Sequence, residues 1–148
     1  MTPLMVKGVL FGLLLLSAAV WDMRNREIPN LIPALLLLCG LIGFRPAASV
    51  AGLFLVGGPF LLAAVLIKRD GFAIGGGDMK LMGACGFVLG VWPGLMQAAL
   101  SLSLAVLVGL VECRLQKQPL SMVRLPLAPF FCFGGVSAYW LTAFTFQI

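Results

Sequence analysis

A chain of 148 residues with 61% hydrophobic and 10% charged side chains and a mean hydropathy of +1.11 lies far outside the range of a soluble domain and belongs in a bilayer. Its net charge of +5 does not imply nucleic acid, because the ten basic residues are scattered over short loops and no soluble domain carries a basic face. The absence of histidine excludes Ser-His and Cys-His catalysis, HExxH metalloprotease chemistry and histidine metal sites, so acid–base work must fall to carboxylates or lysines.

Spans of about 20 apolar residues cross a bilayer as helix, and the uncharged stretches place helices at 3–21, 30–44, 47–67, 74–92, 94–112 and 125–147. The expectation is an all-α polytopic membrane protein, a bundle of six transmembrane helices with five as the alternative, forming one domain over 1–148. Lys7 is the only early charge, and the first segment runs into Asp22-Met23-Arg24 rather than a small-residue cleavage site, which predicts a retained helix and not a signal peptide. Between Lys80 and Glu112 lie 31 uncharged residues, too many for one span and too few for two unless the fourth helix begins before Asp78 and Trp92-Pro93-Gly94 makes the turn. Gly86 and Gly90, four apart, share a face on which another helix can approach closely. Pro126 and Pro129 fit the first turn of the last helix.

With six spans and the N-terminus outside, the loops at 22–29, 68–73 and 113–124, together with Lys80, carry eight of the ten basic residues. Short loops rich in Lys and Arg stay in the cytoplasm, which orients the chain and leaves only Lys7 and Arg45 outside. The basic loops are expected to anchor in anionic lipid headgroups. Four cysteines, Cys39, Cys85, Cys113 and Cys132, show no CxxC spacing and read as apolar fillers of helix interfaces.

The acidic residues number five: Asp22, Glu27, Asp70, Asp78 and Glu112. Glu27 and Asp70 read as solvated loop charges, and Glu112 ends a span beside Arg114. Asp22 closes the first apolar segment and Asp78 follows Gly75-Gly76-Gly77 at the head of the fourth, so both fall at the cytoplasmic interface. Two carboxylates in a low-dielectric setting share one proton, an arrangement that hydrolyses peptides without metal or covalent intermediate. The plainer reading of Asp22 is a helix cap or a headgroup charge. The glycines before Asp78 permit close backbone approach, and with no strand before them and no GKS/T after them they are not a phosphate loop. Lys80, two positions beyond Asp78, points away from it on a regular helix and can snorkel to headgroups. From the residues alone an enzyme, a small ion-coupled carrier using Asp78 and a structural assembly subunit all stay open.

Gly75-Gly76-Gly77-Asp78-Met79-Lys80 resembles the GxGDxK signature of the prepilin peptidases, which are GxGD aspartyl intramembrane proteases. Asp22, followed six residues later by Ile28-Pro29-Asn30, looks like the family's other catalytic segment, and the Pro126–Pro129 stretch is similar to the start of its last helix. The resemblance implies that Asp22 and Asp78 are catalytic, with Gly75, Gly77, Lys80, Ile28, Pro29 and Asn30 as supporting motif residues and no cofactor or metal. It implies a pilin-like precursor as substrate, cleaved on the cytoplasmic side of its hydrophobic helix in the bacterial inner membrane, with the pilus assembly machinery as a further partner. The chain lacks the cytoplasmic segment with paired CxxC motifs of the larger bifunctional members, which puts N-methylation of the product in question. It looks like the short, stand-alone form found with tight-adherence (Flp-type) pili.

Overall fold

In the structure, a computed structural model, residues 3–67, 76–117 and 125–145 are described. They form six α-helices: α1 (Pro3–Asn25), α2 (Leu31–Gly40), α3 (Pro46–Ile67), α4 (Gly76–Leu89), α5 (Val91–Gln116) and α6 (Ala128–Thr145). Prolines mark several starts. Pro46 is the first residue of α3, Pro129 the second of α6, and Pro33 and Pro93 the third of α2 and α5. At each of these positions the missing N–H had no intrahelical carbonyl to meet.

That rule corrects the expected turn at Trp92-Pro93-Gly94, because those residues lie in the first turn of α5. The break falls at Gly90, whose φ of 84° and ψ of −170° are open to glycine and strained for other residues. The end of α1 also differs. The helix runs four residues past the expected Trp21, which puts Asp22 inside it, and stops at Arg26, where φ is 54°. Pro126 precedes α6 and lies outside its first turn.

α4 packs against α2 and α3, while α6 packs against α1 and α5. The α3–α4 seam depends on glycines. A Cβ at Gly86 would collide with the Gly52 carbonyl, and one at Gly57 would come within 2.8 Å of the Gly83 Cα, so the two backbones meet with no side chain between them. Gly86 thus makes the close approach expected of it, and Gly90 lies near Ala48. The core is built from Phe11, Leu15, Leu36, Leu81, Met82 and Phe131, all fully buried. Large apolar side chains such as Leu13, Phe54, Leu107 and Phe144 point outward, the distribution that lipid rather than water requires.

Pro3–Asn25, Pro46–Ala63 and Val91–Leu115 are long and apolar enough to cross a membrane, and Leu31–Gly40 and Ala128–Phe144 are shorter apolar helices. The protein is therefore a multi-pass membrane protein. α4, with 14 residues, extends about 21 Å, short of a hydrocarbon core of about 30 Å.

Candidate active site

The end of α1 is made by the backbone of Asp22 itself, whose carbonyl accepts the Arg26 N–H at 2.8 Å as Arg26 enters the left-handed region. The Asp22 side chain turns inward and is only 6% exposed. Its Oδ2 accepts a hydrogen bond of 3.0 Å from the backbone N–H of Ala128, the first residue of α6. Asp22 therefore does not sit in headgroup water; of the two plain readings the helix cap holds, and the helix it caps is α6, packed beside α1.

Beyond Arg26 the chain reverses through Glu27, Ile28 and Pro29 into α2. The Pro29 carbonyl accepts from the Ile32 N–H and the Asn30 carbonyl from the Ala34 N–H, at 3.1 and 3.3 Å. Asn30 stands at the N-cap of α2 with αR backbone angles and no capping bond from its side chain. Its Oδ1 instead accepts a 2.9 Å hydrogen bond from Lys80 Nζ. Lys80 thus engages a protein partner where headgroup contact was the expectation.

Asp78 is half-buried in the first turn of α4, where an acidic side chain complements the helix dipole. The neighbouring Gly77 is seated directly on the reversing loop. A Cβ there would lie 3.0 Å from Ile28 Cβ, 3.4 Å from Ile28 N and 3.5 Å from Ile28 O. Gly77 on Ile28 and Lys80 on Asn30 bring the two motif segments to the same end of the bundle. Gly75 and Asp70 lie outside the described residues. Beside Met79 and Lys80 a groove of about 470 Å³ opens between α2, α3 and α4, walled by Leu37, Phe54 and Leu61 and floored by Gly83. Among the described residues no group of three or more metal-ligating side chains occurs.

The family model described as the type IV leader peptidase family matches residues 9–111, a stretch that contains both Asp22 and Asp78. The chain belongs to the type IV leader peptidase family. It is similar to the prepilin leader peptidase/N-methyltransferase of Bacillus subtilis (strain 168), with 36% identity over 147 residues covering 89% of this chain and 54% of that protein. The chain thus spans about half the length of the curated relative it matches. No solved structure matches it at a significant level.

Within this family member one site residue escaped sequence reasoning. Ala128 is a small apolar residue in an apolar stretch, and it meets Asp22 through its backbone. The available signal was the proline pattern: a helix beginning Ala128-Pro129 has a free amide at its first residue and none at its second.

Proposed function

We propose that this protein is an aspartyl endopeptidase of the bacterial inner membrane that removes the leader of type IV or Flp-like pilin precursors at the cytoplasmic face. Asp22 and Asp78 are its catalytic pair. The observation that carries this reading is the joining of the two motif segments at one end of the bundle, through Gly77 against Ile28 and Lys80 bonded to Asn30. Family membership and the likeness to a protein named as a prepilin leader peptidase support it.

The chemistry needs one carboxylate and one carboxylic acid. The carboxylate takes a proton from a water molecule as its oxygen bonds to the scissile carbonyl carbon, and the acid donates its proton to the carbonyl oxygen. The tetrahedral species then breaks its C–N bond, a proton passes to the leaving amine, and the pair is left with one proton as before. With the basic loop around Arg24 and Arg26 in the cytoplasm, as short basic loops favour, this pair stands at the face where a leader emerges. The groove lined by Met79 and Lys80, the two residues that follow Asp78 in α4, offers a position for the apolar part of a precursor. A carrier, by contrast, holds its acids near the bilayer midplane, whereas these two stand at one end of the bundle.

The test is co-expression with a pilin-like precursor from the same host, followed by the mass of the precursor recovered from membranes. Loss of the leader only in cells that express this chain supports the peptidase. Precursors left intact in its presence reject it in favour of a carrier.

A further inference from the structure

The start of α6 has one amide to offer, and it is given to Asp22. The first N–H groups of a helix have no intrahelical partner. Here Pro129 has no N–H, and the N–H groups of Phe130 and Phe131 both return to the Leu127 carbonyl at 3.1 Å. The Ala128 N–H is left to bond outside the helix, and it lies 3.0 Å from Oδ2 of Asp22. Asp22 is 6% exposed and Ala128 fully buried, so little water competes for this bond. The positive end of the α6 dipole falls at the same place.

We infer that α6 positions Asp22: the Ala128 amide holds Oδ2 and leaves Oδ1 for the attacking water and the partner acid. The inference rests on Asp22 being one of the catalytic pair. Ala128 is a positioning residue that acts through Asp22 and touches no substrate. Misplacement of a reacting group by as little as about 1 Å lowers rates on the order of 100-fold, so one buried amide is enough to set the rate.

Ala128→Pro removes this donor at a first helical residue that tolerates proline, and its ring Cδ takes the place of the N–H, so the bond is broken and the carboxylate is pushed from its seat. Ala128→Gly keeps the donor and removes only the methyl group. The full-length chain is purified into nanodiscs, and kcat and KM are measured with a type IV pilin precursor. Loss of a hydrogen bond to a buried carboxylate lowers kcat for Ala128→Pro on the order of 10- to 100-fold, with KM within about twofold. Ala128→Gly stays within about threefold of wild type, because the amide is retained. Wild-type turnover in Ala128→Pro, or an equal fall in Ala128→Gly, overturns the inference. Asp22→Asn separates the two levels of the argument. If it is inactive while Ala128→Pro is fully active, the positioning role alone is lost; if it is active, the dyad itself is lost. Hydrogen exchange at the Ala128 amide gives a reading independent of any precursor. Faster exchange in Asp22→Ala than in wild type is expected, and an unchanged rate overturns the bond.

Discussion

Lys80 donates a hydrogen bond from Nζ to Oδ1 of Asn30 over 2.9 Å, joining side chains 50 positions apart in the chain. The bond ties the first two turns of α4 to the entrance of α2, and it lies one helical turn from the close seat of Gly77 on Ile28. Two contacts of different kinds, one polar and one steric, hold the Asp78 segment against the segment that leaves Asp22.

The polar contact is exposed, and exposed charged contacts contribute modestly. Lys80→Ala and Asn30→Ala are each expected to reduce precursor cleavage by about two- to fivefold. Because each removes the same bond, the double variant falls no further than the weaker single one. Initial cleavage rates in membranes at matched protein levels check this, and multiplicative losses contradict it.

The steric contact discriminates between adjacent glycines. A methyl group at Gly76 meets nothing within 4 Å among the described residues, so Gly76→Ala keeps its activity. Gly77→Ala puts a methyl group 3.0 Å from Ile28 Cβ and 3.4 Å from Ile28 N, so the reversing loop must give by a few tenths of an ångström. With overpacking at about 1 to 3 kcal/mol, its cleavage rate is expected to fall roughly fivefold or more. Equal rates for the two variants contradict the seat.

Stability rests on the α3–α4 seam. Gly86→Ala drives a methyl group into the Gly52 carbonyl of α3, backbone that cannot turn aside. A loss of about 1 to 3 kcal/mol is expected, read as a lower midpoint of thermal unfolding in detergent. Gly58→Ala, with open space at its Cβ among the described residues, keeps or raises the midpoint.

Between α5 and α6 the polar pairing is incomplete. Gln97 Nε2 donates to the Phe131 carbonyl at 3.1 Å, while Gln97 Oε1 and Ser101 Oγ are buried without a partner among the described residues. A buried hydroxyl that makes no bond contributes only its desolvation, so Ser101→Ala is expected to unfold at or above the wild-type midpoint, a gain of about 1 kcal/mol. A clear fall in that midpoint shows that the hydroxyl bonds across the helices.

Hydrophobic runs made the six helices legible, because each segment is apolar over most of its length. The boundaries were less so, for reasons visible at single residues. Trp92-Pro93-Gly94 has turn composition, yet a proline at the third residue of a helix loses no bond, and the chain reverses instead at Gly90, where φ is positive. Polar residues after Trp21 suggested that α1 had ended, but polarity does not break a helix, and the left-handed Arg26 does. At the site, the segments around Asp22 and Asp78 were legible because their residues are contiguous in sequence. Asn30 with Lys80 and Asp22 with Ala128 were not, since pairs 50 and 106 positions apart leave no periodic trace, and one partner of the second pair is a backbone amide that any residue except proline supplies.

The most direct measurement is cleavage of a co-expressed pilin precursor in membranes by wild type, Asp22→Asn and Asp78→Asn at matched protein levels. A carboxylate pair predicts that the wild type removes the leader and that each single substitution abolishes removal while the protein stays folded in the membrane. Substantial cleavage by either variant would contradict the pair.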